Sequence, residues 1–410
     1  MTSASTAQEI SELAITNQNS ANMGLSPQGG TAMNQRKTDT DPLRSKTYTK
    51  SFSADASDKI ILSNSYGQVQ VKTWNKMEAK IDVEIKAYSK TENEAQKLLD
   101  GVNIAAEKQG NEITFRTNIN GGNFGREKNE KSSFRREVHV NCVLYLPATN
   151  SLTMSNQYGN IVMGDFSGPL YAKAQYGNFT AGKLLSDNNY VSVQYGKTDI
   201  IELNKATLRQ QYGSGMNIGT VRTLDLDAQY AAVNIGTIRG DAIIKQQYGS
   251  GLNIGTVNNI ELNAQYAGVN ITTVKGNAKM RQQYNNLNIG SVGAIDLVAQ
   301  YTSANIGTLN GAGKFKMDYN KLTIANVTDA CKTISIDGDY LGTAVAFNDK
   351  YNAEFEVNTN YASFKYGGRI ASSMTSGSDN SNSKHYAGKI GDGSGAKVNV
   401  RANYGSVTFE

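Results

Sequence analysis

Cysteine is almost absent: Cys142 and Cys331 are the only two in 410 residues, too few for a disulfide framework. Cys142 alternates in phase with Val138, Val140, Leu144 and Leu146, the pattern of a buried free thiol rather than a reactive one. No apolar run reaches the roughly 18 residues that a membrane-crossing helix needs, which excludes a transmembrane segment. Proline is scarce, 4 residues against 40 glycines, so turns between strands fit better than Pro-rich linkers. Charge of one sign is lacking too. The 41 basic and 36 acidic residues leave a net charge of +5, without the concentrated basic face of a nucleic-acid binder. His139 and His385 are the only histidines, and neither is paired with a Cys or Ser nucleophile. No metal-ligand cluster, phosphate loop or dinucleotide fingerprint appears, so no cofactor is expected. The apolar core of a signal peptide is missing, although Ser5-Thr6-Ala7 before Gln8 has the small residues of a cleavage site. The expectation is a numbering that begins just inside a lost leader, or at the start of the mature form.

What is present is a repeat. QQYGSGMNIGTV at 210–221, QQYGSGLNIGTV at 246–257 and QQYNNLNIGSV at 282–292 alternate with AQYAAVNIGTI at 228–238, AQYAGVNITTV at 264–274 and AQYTSANIGTL at 299–309. An 18-residue unit is thus nested in a 36-residue one, and fixed-period self-similarity signals stacked repeats. Tyr158, Tyr176, Tyr195, Tyr212, Tyr230, Tyr248, Tyr266, Tyr284, Tyr301 and Tyr319 follow one another at intervals of 17–19 residues. The spacing then loosens to 21, giving Tyr340 and Tyr361, and the same local text occurs around Tyr66 and Tyr404.

In chain order, residues 1–45 are rich in Ser, Thr, Asn and Gln and read as a disordered leader. Residues 46–150 form a β-rich segment with strands at 59–62, 68–74, 79–88, 112–117 and 137–146. A single helix is expected over 91–102, with a Thr91/Glu94 capping box and an Ala95, Leu98, Leu99, Val102 stripe. Residues 76–146 read as an insertion after a first rung or as a cap folded onto it. The loop at 121–137 carries Arg126, Lys128, Lys131, Arg135 and Arg136 among three glutamates; its mixed signs favour a solvated hairpin tip over a polyanion contact. Residues 151–367 hold the Tyr-Gly rungs, 368–395 read as a flexible Gly/Ser loop, and 396–410 as a closing strand.

Column by column, the repeat predicts an inside and an outside. Four residues before each tyrosine stand Ala172, Val191, Leu208, Leu226, Ile244, Leu262, Met280, Leu297, Phe315 and Ile336, an interior column. Strand alternation extends that face to the position two before, where Gln210, Ala228, Gln246, Ala264, Gln282 and Ala299 alternate, and to the tyrosines themselves. A glutamine filling volume left by its alanine neighbours accounts for the 36-residue period. Asn217, Asn234, Asn253, Asn270, Asn288 and Asn305 are predicted to face outward as an amide ladder. Two strands and two turns per 18 residues give an all-β fold. It is a single-stranded parallel β-helix (β-solenoid), right-handed by the general rule for parallel crossovers, with a small α+β N-terminal cap or insertion.

Chemistry is hard to find on this scaffold. Asp225, Asp227, Glu261 and Asp296 are diluted by Lys, Arg and Asn on neighbouring rungs, unlike the acidic groove of a polysaccharide-cleaving β-helix. The threonine column Thr220, Thr237, Thr256, Thr273 and Thr308 lacks the Thr-x-Thr array of an ice-binding surface. Tyrosines turned inward serve core packing better than a sugar platform.

Asn64-Ser65-Tyr66-Gly67-Gln68-Val69, the helix text Ala95-Gln96-Lys97-Leu98-Leu99, the Tyr-Gly rungs and the closing Tyr404-Gly405-Ser406-Val407 occur in an order that resembles one family. It is the adhesin-like β-strand-repeat family of bacterial exported proteins of unknown function, related to an auto-transporter adhesin head domain. The resemblance covers residues 46–410. It implies a right-handed parallel β-helix in the cell envelope, periplasmic or surface-exposed, and no catalytic residues to carry over. The expected function is a non-enzymatic solenoid for adhesion or scaffolding. The alternatives are a polysaccharide-binding or polysaccharide-cleaving β-helix (a lyase or hydrolase), and a periplasmic protein-binding accessory factor. Surface glycans or envelope proteins are the expected partners, and nucleic acid is not.

Overall fold

The computed structural model describes residues 43–410 apart from 121–124, 130–131 and 379, and only the backbone of 125–129 and 132–135. The leader expected at 1–45 falls, up to residue 42, outside the described residues. So do Lys131 and the side chains of Arg126, Lys128 and Arg135.

Among the described residues there are 26 strands and one helix. The N-terminal segment comprises β1 (Arg44–Ser53), β2 (Lys59–Ser65), β3 (Val69–Trp74), β4 (Glu78–Tyr88), α1 (Glu92–Asp100), β5 (Val102–Gln109), β6 (Glu112–Ile119), β7 (Gly125–Asn129) and β8 (Ser132–Pro147). β9 (Ser151–Gln157) and β10 (Ile161–Met163) follow. β2 lies parallel to β9 with Leu62 opposite Met154, and β3 lies parallel to β10 with Val69 opposite Ile161. The Tyr66 text is therefore a rung stacked directly on the Tyr158 rung, and the residues between are an insertion. The insertion then covers the edge that this rung would leave bare: β6 pairs with the far side of β2, and β8 with the far side of β3. Unpaired edges invite association, so the insertion caps as well as interrupts.

The helix forms where the sequence places it, but only half of its capping box does. Thr91 accepts from the backbone N–H of Glu94 at 3.3 Å, while the Glu94 carboxylate accepts from Ser89 Oγ at 2.7 Å. Ala95, Leu98 and Leu99 are buried as the stripe requires. Val102 is not helical. It opens β5, antiparallel to β6, and Lys46 Nζ donates to the carbonyl oxygens of Leu99 and Val102 at the helix end.

Beyond β10, and as far as the Tyr340 rung, successive rungs pair in parallel at offsets of 17–21 residues. Leu208 lies opposite Leu226, Leu226 opposite Ile244, Ile244 opposite Leu262, and Leu262 opposite Met280. The ten-residue column from Ala172 to Ile336 is buried throughout, each residue at most 2% exposed. At the far end the order of rungs departs from the order of the chain. Ala396–Asn403 pairs in parallel on one side with Thr333–Phe347 (Ile336 opposite Val400) and on the other with Ala353–Asn360 (Val357 opposite Val400). The closing segment is thus an interior rung wedged between those of Tyr340 and Tyr361. The stretch expected as a flexible Gly/Ser loop contains two strands, Ile370–Ser376 and Ser383–Ile390. The second is antiparallel to Ala353–Asn360 and the first is antiparallel to the second. Only Ile370 and Ile390 of this hairpin are deeply buried, so backbone pairing defines it where hydrophobic periodicity could not.

Removal of residues 396–410 should cost more than a frayed terminus would. It withdraws Ala396, Val398, Val400, Ala402, Val407 and Phe409 from the core and separates two rungs. At about 1–3 kcal/mol for each larger apolar side chain, urea unfolding of the shortened chain should show a markedly lower midpoint. An unchanged midpoint would contradict the wedged placement.

Candidate functional site

The longest continuous array of side chains on the protein is made of tyrosine. All fourteen motif tyrosines, Tyr66 to Tyr404, have φ between +50° and +64°, the left-handed region that non-glycine residues rarely enter. This single torsion corrects the inward placement expected from strand alternation. In the left-handed conformation the chain turns at the tyrosine and the ring leaves the face shared by Leu226 and Ala228. Thirteen of the rings are 39–55% exposed. They stack face to face along the repeat, with centroids 4.5–5.3 Å apart and planes within 13° of parallel. The row runs Tyr340, Tyr404, Tyr361 at its end, following the wedged rung. Each inner ring has both faces covered and shows solvent its edge and hydroxyl. A sugar platform needs an open ring face, so the interior of the row does not offer one. The hydroxyls interact along the stack: a hydrogen bond with Tyr284 holds the Tyr266 phenol above its ordinary value, and the charge of Tyr301 does the same for Tyr319.

The alternation of glutamine and alanine has a local cause. Gln210, Gln246 and Gln282 are buried, and each donates its amide to the backbone carbonyl just after the tyrosine of the preceding rung, at 2.8 Å. These carbonyls belong to Gly196, Ala231 and Ala267. A Cβ on Gly213 or Gly249 would meet the glutamine Nε2 at 2.1 or 2.0 Å, so glycine follows the tyrosine in those rungs. In the rungs of Ala228, Ala264 and Ala299 that space is filled instead by Ala231, Ala267 and Thr302, all buried. Gln-Gln-Tyr-Gly and Ala-Gln-Tyr-Ala are two solutions to one volume. The glutamine carbonyls differ, however. Gln210 Oε1 accepts from Thr198 Oγ1 at 2.6 Å, whereas the equivalent positions in later rungs are Val233 and Val269. Gln246 Oε1 and Gln282 Oε1 accordingly have no hydrogen-bond partner among the described residues.

The asparagine row forms a directed chain. Asn305 donates to Asn288, then Asn270, Asn253, Asn234 and Asn217 in turn at 2.8–3.0 Å, and Asn217 donates to the Asp199 carboxylate at 2.7 Å. Beside this row runs a trough of about 880 Å³. Its floor is backbone, since Gly219, Gly236 and Gly255 occupy successive rungs two residues after the asparagines. Sequence reading found the row but missed the trough, whose signal was the glycine in Asn-Ile-Gly.

Of the candidates for reactive chemistry, exposed Asp225 has no ion pair or hydrogen bond among the described residues, and the others have partners or are buried. Asp227 pairs with Arg209 at 2.9 Å, Glu261 with Lys279 at 2.9 Å and Asp296 with Lys314 at 4.0 Å, each bridge joining adjacent rungs. His139 faces Glu137 at 2.8 Å, and His385 Nδ1 faces Thr375 Oγ1 at 2.5 Å. Cys142 is 1% exposed, and burial pushes its thiol up to about 12. Burial also raises Cys331. Among the described residues no cluster of His, Cys, Asp and Glu could hold a metal ion.

No protein-family model and no curated protein matches the chain. Solved structures to which it is similar include a candidate cell-adhesion protein from Clostridium sporogenes (8% identity, TM-score 0.18, 89% of this chain and 99% of that one). A candidate lipid-binding protein from Parabacteroides distasonis aligns at 11% identity and TM-score 0.20, over 89% of this chain and 96% of that one. A candidate adhesin from Bacteroides fragilis aligns at 9% identity and TM-score 0.19, over 89% and 97%. Likenesses at these TM-scores carry no argument about fold or function.

Two substitutions test the ladders. Tyr230→Ala should lose two ring contacts and keep the strained backbone, whereas Tyr230→Gly loses the same contacts and relieves it. Alanine should then be the more destabilising by about 1 kcal/mol in chemical unfolding, and equal losses would refute the strain. Val233→Thr supplies Gln246 Oε1 with the donor that Thr198 gives Gln210. It should be within about 1 kcal/mol of neutral, while Val257→Thr, with no orphan to satisfy, costs about 1–3 kcal/mol. Equal costs would show that the orphan carbonyl is not reached.

Proposed function

We propose that this chain is a non-enzymatic, right-handed β-solenoid with about 18 residues per rung, serving adhesion or scaffolding at the bacterial cell envelope. One observation carries the reading: the outward side chains are committed to their neighbours along the stack. Tyrosine rests on tyrosine, asparagine bonds asparagine, and three of the four acidic residues that a glycan-cleaving groove would draw on are paired with cations one rung away. A catalytic acid or base has to be free to exchange a proton with its substrate; these three carboxylates are engaged elsewhere, and Asp225 stands without a second acidic partner for the pair that glycan cleavage uses. Surfaces of this kind bind or hold spacing; they do not turn over. The family resemblance of the sequence points the same way, toward an exported protein. No helix of the described residues is long and apolar enough to cross a membrane.

Protease treatment of intact cells, followed with an antibody to residues 151–367, tests the placement. Cleavage on intact cells is expected for a surface adhesin, and protection until the outer membrane is opened for a periplasmic scaffold. Recovery with cytosolic markers would overturn the proposal.

A further inference from the structure

The trough beside the asparagine row is a site that the scaffold reading leaves unused. Its column of outward positions runs Ile201, Gly219, Gly236, Gly255, Thr272, Gly290, Gly307. The order follows because a Cβ on each glycine would point at the carbonyl oxygen of the residue before it in the column, at 2.4–2.6 Å. Three consecutive glycines therefore make a notch between the side chains of Ile201, 65% exposed, and Thr272. Along one rim stand the carboxamides of Asn217, Asn234 and Asn253. Each spends one N–H and one lone pair on the row, which leaves a second N–H and a second lone pair per rung uncommitted. The lining is uncharged except for Asp199, which already accepts from Asn217 at 2.7 Å and pairs with Lys197 at 3.0 Å.

We propose that this trough binds a neutral, linear saccharide chain lying along the stack with one pyranose unit per rung. The proposal rests on the binding role given above and names its ligand class. Three features select that class. A floor of glycine Cα and aliphatic surface suits the C–H faces of pyranose rings. The amide rim offers a donor and an acceptor at every rung to ring hydroxyls. A lining without a free cation offers no counter-charge to an anionic polymer. The period argues against a peptide. Rungs recur at about 4.8 Å, close to the length of one sugar unit, whereas an extended polypeptide advances only about 3.3 Å per residue and falls out of step with identical amides.

The test is calorimetric titration of the purified full chain with uncharged cello- and chito-oligosaccharides of increasing length, and with a neutral extended peptide. Affinity should rise with saccharide length and level off at roughly four units, the span from Ile201 to Thr272 at about 4.8 Å per rung. Gly236→Thr should block the notch and weaken binding at least about tenfold. A Cβ at Gly236 would meet the Gly219 carbonyl oxygen at 2.5 Å, so circular dichroism must first show that this variant folds; Thr272→Gly, which adds no atoms, carries the test if it does not. Thr272→Gly joins the notch to Gly290 and Gly307 and should move the plateau to longer chains. Absence of saccharide binding at every length, binding indifferent to Gly236→Thr, or binding of the peptide instead would overturn the proposal. Because the titration uses purified protein, it is independent of where the chain resides. A surface-exposed chain that binds no saccharide sinks only this inference, and a saccharide-binding chain found in the cytosol sinks only the envelope reading.

Discussion

The structure depends on a bargain made at each tyrosine. A left-handed backbone costs a residue with a Cβ about 1–2 kcal/mol, and fourteen tyrosines adopt it. The turn brings each ring over the one below, at a spacing set by parallel strand pairing, and each stacked pair contributes about 0.5–1.5 kcal/mol beyond simple burial. An inner ring has two such contacts, so the strain is offset within the row itself. Neither partner of the bargain works alone. Without stacking, glycine would serve the turn better; without the turn, the rings would compete for a core already filled by leucine, isoleucine and valine.

The interior follows from where the tyrosine sends the chain. Once the ring is outside, the space beneath the turn must be filled by something else. The sequence alternates a glutamine that reaches the neighbouring carbonyl with an alanine placed one residue after the tyrosine. The orphaned carbonyls of Gln246 and Gln282 mark where the repeat has drifted from the Thr198–Gln210 arrangement without losing its volume. Charge is arranged by the same neighbour logic. Arg209 over Asp227 and Glu261 under Lys279 are exposed pairs worth about 0–1 kcal/mol each, and their larger effect is to avoid like charges on adjacent rungs. A stack built this way still leaves the second N–H and lone pair of each rim asparagine, and the trough beside them, open to solvent, which is where a ligand can be accommodated.

Much of this was legible in the residues, and the failures have specific causes. The buried column from Ala172 to Ile336, the buried glutamines and the outward asparagines follow from period-two alternation, which holds within each strand. The tyrosines broke the extrapolation because alternation ends where φ changes sign. The glycine after many of them marks the turn, but the left-handed residue is the one before it. β5 escaped notice because Ile104 and Ala106 are only partly buried and alternate weakly. The wedged C-terminal rung could not be read locally at all. Tyr404 carries the ordinary motif text, and nothing in its neighbourhood says that it lies between Tyr340 and Tyr361 rather than beyond them. The glycine trough was visible as Asn-Ile-Gly but has meaning only once the rungs are stacked and their glycines fall in one column.

The central claim is that neighbouring rings hold one another in place, and a double-mutant cycle tests it directly. Tyr230→Gly and Tyr248→Gly, singly and together, should show a coupling of about 0.5–1.5 kcal/mol in unfolding free energy. Tyr230→Gly with Tyr266→Gly, rings that do not touch, should be additive. Coupling that is absent for the adjacent pair, or equal for both pairs, would contradict the account.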